Sequence, residues 1–213
     1  MPPAIVLAHL FVLLSVAMPA GQATRKPGDL FEEIYKRGAI RQKTLKSIRA
    51  TFTETTVSTL LVKPIVARGT IVAAPPARVR MTYAEPDPKV IAMDGRTLVV
   101  DWPTRGERER IDIREVQKRI DQYFTSAGID DLRKMFDIKA EADAANRRAD
   151  RVEMTPKRKQ IKQGLEKLEL WIDRERDLLV QMRLSFRGGD QKTIALEDIA
   201  VNAPISDDLF QVK

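Results

Sequence analysis

The chain reads as an α+β protein whose body is a strongly curved antiparallel sheet covered by helices. Three observations predict this. About ten segments alternate apolar with polar residues at the strand period of two. The pairs Asp94-Gly95 and Gly188-Gly189 fall between such segments, where tight hairpins favour a residue that accepts positive φ. Two segments in the middle of the chain switch to the helical period instead.

Residues 1–23 hold no Asp, Glu, Lys or Arg, and an apolar run from Ala4 to Ala17 precedes Pro19, Ala20, Gly21 and Ala23. This is the pattern of a secretory signal cut after Ala23, although Met1-Pro2-Pro3 lacks the usual Lys or Arg, which leaves an upstream start open. The apolar run is short for a bilayer span of about 20 residues. The expected mature protein is therefore residues 24–213, one domain. With no Cys to carry a lipid, it should be soluble.

Asp29 and Glu32 have capping-box spacing, and Leu30, Phe31, Ile34 and Tyr35 follow at helical intervals. Gly38 is expected to end or loosen that helix, with a second helical stretch over Leu45 and Ile48. A Thr- and Val-rich strand is predicted from Thr51 to Val62, divided by Lys63-Pro64 from one through Ile71 and Val72. Pro75-Pro76 and Pro86-Asp87-Pro88 cannot donate ladder hydrogen bonds and mark strand breaks. Between them Val79, Met81 and Tyr83 alternate with Arg78, Arg80 and Thr82, one face buried and one wet. Lys89 to Met93 and Thr97 to Trp102 then flank Asp94-Gly95, while Arg105 to Arg110 alternate in sign as a solvated strand or turn does.

Val116, Ile120, Tyr123 and Phe124 fall on one helical stripe, and Ile129, Leu132, Met135 and Phe136 on another, with Ser126-Ala127-Gly128 between them. Amphipathicity shows only burial, so these two helices are either ordinary core or a movable lid. Strands are predicted again over Asp137–Ala140, Asp150–Thr155, Leu165–Asp173, Leu178–Phe186 and Thr193–Val201. Leu168, Leu170 and Ile172 share a face, as do Val180, Met182, Leu184 and Phe186. Residues 202–210 should cross an open end of the sheet.

The chain has no Cys, and its one histidine, His9, lies in the predicted signal. A mature chain without either lacks a thiol nucleophile, an imidazole base and the usual zinc ligands, so neither an enzyme nor a metal or cofactor site is expected. The net charge of +7 and the basic run Lys157-Arg158-Lys159, with Lys162, Lys167, Arg147, Arg148 and Arg151, invite a nucleic-acid reading. Export and the lack of interleaved aromatics argue against it. A solvated hairpin tip, drawn to anionic lipid head groups or an acidic partner, fits better.

The order of features resembles one family. Phe52-Thr53-Glu54, the Gly69-led strand, a Pro, Arg78-x-Arg80-x-x-Tyr83, another Pro, Asp94-Gly95-x-x-Leu98 ending near Pro103, Met154-Thr155-Pro156-Lys157 and Asn202 to Phe210 together resemble the LolA-like periplasmic carriers of outer-membrane lipoproteins. The resemblance implies an incompletely closed antiparallel β-barrel with helices covering its open mouth. It implies a lipid-binding cavity of Val79, Met81, Tyr83, Ile91, Met93, Leu98, Val100, Leu168, Leu170, Ile172, Met182 and Leu184, under a lid carrying Val116, Ile120, Tyr123, Phe124, Leu132, Met135 and Phe136. The partners implied are an acylated lipoprotein or other lipid cargo, an inner-membrane release complex and an outer-membrane acceptor. Contact with the membrane surface would be transient, the carrier a monomer and the compartment the periplasm. A carrier is physically required there, since one acyl chain of about 15 methylenes left in water costs roughly 12 kcal/mol.

The chain departs from the family pattern at Pro75, where the best-studied carriers have an Arg that couples lid to barrel, and it lacks a C-terminal segment of the proteobacterial type. Gating and cargo therefore stay open. An envelope-stress sensor or interaction domain of the same fold, binding a regulatory partner, is the alternative, although such sensors usually carry a second domain.

Overall fold

A computed structural model describes residues 29–120, 128–146 and 148–210. The predicted signal lies outside the described residues, as do Tyr123 and Phe124. Helix α1 (Leu30–Thr44) leads into β1 (Ile48–Val57), β2 (Ile65–Ala74), β3 (Arg78–Glu85), β4 (Lys89–Met93), β5 (Thr97–Trp102) and β6 (Glu107–Asp112). Helices α2 (Arg114–Ile120) and α3 (Ile129–Met135) follow, then β7 (Phe136–Ala142), β8 (Ala149–Pro156), the single turn α4 (Lys159–Lys162), β9 (Lys167–Asp173), β10 (Leu179–Ser185) and β11 (Gln191–Val201). A 3₁₀ turn, Asp207–Phe210, comes last.

All eleven strands form one antiparallel sheet in the order β6-β5-β4-β3-β2-β1-β11-β10-β9-β8-β7. Two meanders are thus joined where β11 returns to pair with β1. The sheet does not close. Its edges are β6 and β7, and both are studded with charges (Glu107, Arg108, Glu109, Arg110; Asp137, Lys139, Glu141), which discourages pairing with another chain.

Asp29 caps α1 by accepting the Glu32 amide at 3.2 Å. The reciprocal half of the box is absent, because the Glu32 carboxylate takes Lys36 one turn on, at 2.6 Å. The helix runs through Gly38 without a break, and the second helical stretch expected over Leu45 and Ile48 does not form. Leu45 is the C-cap and Ile48 opens β1, since a β-branched segment flanked on both sides by β2 and β11 gains two ladders as a strand. The predicted strand to Val62 stops at Val57 for the converse reason: β2 begins only at Ile65, so residues 58–64 have no ladder partner. The solvated segment after Pro103 is β6. Phe136, expected on a lid helix, is instead the first residue of β7 and is fully buried.

Both predicted hairpins are present. Asp94 Oδ1 accepts the amides of Arg96 and Thr97, each at 2.8 Å, around Gly95 at φ 88°. Gly188 and Gly189 turn β10 into β11 at φ 89° and 88°. The inner face carries the core, with Phe52, Ile71, Met81, Met93, Leu98, Leu168, Met182 and Leu184 all buried. One glycine is demanded by that packing. A Cβ on Gly69 would lie 2.0 Å from the Thr82 carbonyl and 2.9 Å from the Phe52 ring, which meets Tyr83 edge-on at 4.9 Å.

Candidate functional site

Beneath α1 the inner face is not sealed. A cavity of about 110 Å³, open on one side, lies between the helix and the half of the sheet formed by β8 to β11 and the start of β1. Its roof is Phe31, Ile34, Tyr35 and Gly38 of α1, where the absent side chain of Gly38 leaves room. Its floor is Val152 and Met154 of β8, Leu168, Leu170 and Ile172 of β9, Leu179 of β10, and Leu196 and Ile199 of β11. Of these, Leu170, Ile172, Leu179, Leu196 and Ile199 are only half-buried. Apolar side chains in that state lose solvent readily to another apolar body.

Two β-bulges shape the floor. The β10–β9 register shifts between Leu179 and Gln181, and the β1–β11 register shifts between Arg49 and Thr51, opposite Asp198 at φ 50°. A bulge inserts one residue and so reverses which side chains point inward beyond it. Leu179 takes the inward place that strict alternation assigns to Val180, and Ile199 likewise joins Leu196 in the cavity.

The predicted cavity residues divide by strand. Leu168, Leu170 and Ile172 line the cavity. Val79, Met81, Tyr83, Ile91, Met93, Leu98 and Val100 of β3 to β5 are at most 5% exposed and packed among themselves, and Met182 and Leu184 lie in the same core. Of the predicted lid, Leu132 of α3 reaches the cavity, Met135 and Phe136 are core, Val116 is half-buried against it, and Ile120 ends α2. The principal cover is α1, which contributes no residue to the lid that the resemblance implies.

Polar contacts tether that cover at three points. Arg37 of α1 donates from Nε to Asp177 at 2.7 Å and from Nη2 to Asp150 at 3.1 Å, while Arg174 also holds Asp150 at 2.7 Å. Arg133 of α3 pairs with Asp29 at the N-cap and lies over the Phe31 ring. At the C-terminal end Asn202 accepts the Lys46 amide at 2.7 Å and donates to the Thr44 carbonyl at 3.0 Å. Burial pushes the Asp29 carboxyl up, but the Glu32 amide and Arg133 outweigh it and leave the group below its ordinary value. Arg41, on the cavity wall, has a solvent-excluded Nε that finds no hydrogen-bond partner among the described residues.

The far end of the inner face is closed by charge rather than left open. Glu54, 7% exposed, accepts Tyr83 Oη and Lys192 Nζ, each at 2.9 Å. Lys89 sits 4.6 Å over the Tyr83 ring. Burial, reinforced by the Glu54 carboxylate, pushes the Tyr83 hydroxyl above the ordinary phenol range. Burial also draws the Lys89 ammonium down, against the pull of Glu54. Among the described residues no group of His, Cys, Asp and Glu could hold a metal ion, and no helix is long and apolar enough to cross a membrane.

A half-open sheet with a greasy recess under a tethered helix is a binding architecture. Residues 43–213 match the family described as outer membrane lipoprotein carrier protein LolA, and the chain belongs to that family. Nearly all of α1 precedes the matched region. No curated protein matches. Among solved structures, an uncharacterized conserved protein from Thermus thermophilus is 10% identical with a TM-score of 0.55, over 87% of this chain and 95% of that one. Lipoprotein LppX of Mycobacterium tuberculosis is 14% identical with a TM-score of 0.51, over 82% and 96%. The MucA/MucB complex of Pseudomonas aeruginosa gives 17% and 0.43, over 78% of this chain and 56% of that one. At these identities the first two likenesses show fold alone.

Proposed function

We propose that this protein is an exported periplasmic carrier that shields the acyl chains of a lipoprotein, or of a related amphiphile, between the inner and outer membranes. It would load from an inner-membrane release complex and unload to an outer-membrane acceptor, with residues 1–23 removed on export. The observation that carries the reading is the half-buried aliphatic floor under α1. At about 110 Å³ the cavity is smaller than the roughly 300–1,000 Å³ typical of ligand pockets, so a chain enters only as the roof lifts. The roof suits that motion, because it is tethered by ion pairs and hydrogen bonds that water can replace. Arg41 Nε offers a donor to a polar head lodged at the wall.

The test is lipid capture. Expressed with residues 1–23 intact and purified without detergent, the protein should co-purify with acylated species that mass spectrometry identifies. It should also take a labelled lipoprotein from inner-membrane vesicles. Leu170→Glu, which puts a charge on the floor, should keep the fold and abolish both. Purification free of lipid, together with failure to accept lipoprotein, would overturn the proposal.

A further inference from the structure

Six large hydrophobic side chains stand exposed among the described residues, and five of them (Val57, Leu60, Val62, Ile65 and Val66) lie on the β1–β2 hairpin. Leu60 is 90% exposed and Val62 fully so. The tip is built rather than loose, since Ser58 accepts the Leu60 amide at its hydroxyl (3.2 Å) and the Leu61 amide at its carbonyl (3.1 Å). That turn holds Leu60 outward. A Cβ on Gly189 would lie 3.6 Å from the Thr59 methyl, and Val57 pairs with Gln191, so the β10–β11 turn and the exposed Arg187 lie alongside. Lys63, on the tip itself, and Arg187 make no ion pair among the described residues, whereas Arg68 lower on β2 is spent on Glu85 at 2.9 Å. No acidic residue occurs between Thr55 and Ala67, and the nearest on the neighbouring turn is the half-buried Asp190.

We propose that this hairpin tip is a membrane-docking element, placing Leu60 and Val62 at the acyl boundary of an anionic bilayer while Lys63 and Arg187 meet lipid phosphates. Aliphatic tips flanked by cations are what a charged lipid–water interface accepts. A protein partner is the poorer fit, because a stable interface needs about 800 Å² on each side and centres on Trp, Tyr or Arg anchors. A seven-residue aliphatic turn offers neither. The site is also distinct from the lipid recess. Ile48 borders the recess at one end of β1 and the tip follows Val57 at the other, roughly 30 Å away along the strand. Docking therefore does not depend on whether the recess carries lipid, and two weak contacts of this kind would give reversible attachment.

The experiment is sedimentation of the full chain with vesicles of phosphatidylethanolamine containing phosphatidylglycerol, with the N-terminus of the purified protein fixed by mass spectrometry. Binding is expected, weaker on vesicles of phosphatidylcholine alone and weakened by high salt. Leu60→Asp with Val62→Asp should lower partitioning tenfold or more. Lys63→Glu should lower it about fivefold or more. All three positions are exposed, so an unchanged thermal midpoint checks that the fold persists. Leu170→Glu, the floor variant, should bind vesicles as the unaltered chain does even though it carries no lipid. Vesicle binding that survives the double substitution, or that Leu170→Glu abolishes, would overturn the proposal. So would tip variants that bind vesicles normally but lose a purified acceptor protein.

Discussion

The two halves of the sheet are built from the same alternating pattern and end differently. Across β3 to β5 the inward side chains are sealed, with Val79, Met81, Met93 and Leu98 at 2% exposure or less. Across β9 to β11 Leu168, Met182, Leu184 and Ile194 are sealed too, but Leu170, Ile172, Leu179, Leu196 and Ile199 are left half-covered. The difference lies in the cover. The first half is filled from within by Phe52, Tyr83 and side chains of its own strands, interlocked across Gly69. The second half is roofed by α1, a separate body that stands off at Gly38 and is tethered through Arg37, Asp29 and Thr44. Alternation tells which face is apolar; only the cover decides whether that face is core or binding surface.

The sharpest way to break this contrast is at Gly69, where any Cβ meets the Thr82 backbone, which cannot swing aside. Gly69→Val should cost about 3 kcal/mol or more and show as insoluble expression or a steeply lowered melting temperature. Glu54→Ala comes next, since it strands Lys192 and Tyr83 in the interior, and a loss of about 3 kcal/mol in a denaturant titration is expected. Truncation then separates the halves directly. Met81→Ala in the sealed half should cost about 3 kcal/mol, whereas Leu170→Ala at the half-buried floor should cost about 1 kcal/mol and show mainly as weaker lipid retention. Equal losses at the two sites would mean that the floor is core after all.

Much of the fold was legible in the sequence and rather less of the site. Turn chemistry at Asp94-Gly95 and Gly188-Gly189, the cap at Asp29 and the period of two in β3, β9 and β10 are local signals, and the structure reproduces them. The helix–strand boundary near Ile48 was not local, because it depends on β1 having a neighbour on each side. The recess was harder still. Leu168, Leu170 and Ile172 follow from alternation, but Leu179 and Ile199 reach the recess only through bulges, and nothing in a strand's own residues announces an inserted one. Val152 and Met154 alternate along β8 and could have been found by the same rule that found β9. The exposure of Leu60 and Val62 was hidden by their β-propensity, which reads as strand until the partner strand proves too short.

Titration distinguishes the halves with the smallest effects and from opposite ends of the pH scale. Tyr83, in the sealed half, has its hydroxyl pushed up by burial and by Glu54, so the folded state keeps a proton that the unfolded chain releases near pH 10. Stability is therefore full below about pH 10 and declines above it, by up to about 1.4 kcal/mol per pH unit from this group, and Tyr83→Phe should remove that part of the slope. Asp29, at the roof, is depressed, so its contribution is present above its unfolded value of 3.8 and fades as the pH falls through the folded one. The pair with Arg133 is partly solvated and should be worth only about 0.5 kcal/mol. Acid below pH 4 should accordingly raise amide exchange in α1 before β3 to β5 respond. Asp29→Asn, which keeps an oxygen for the Glu32 amide and drops the charge, should make exchange in α1 less sensitive to acid. Acid-induced exchange that begins in β3 to β5 instead would show that the roof is no less firmly held than the core beneath it.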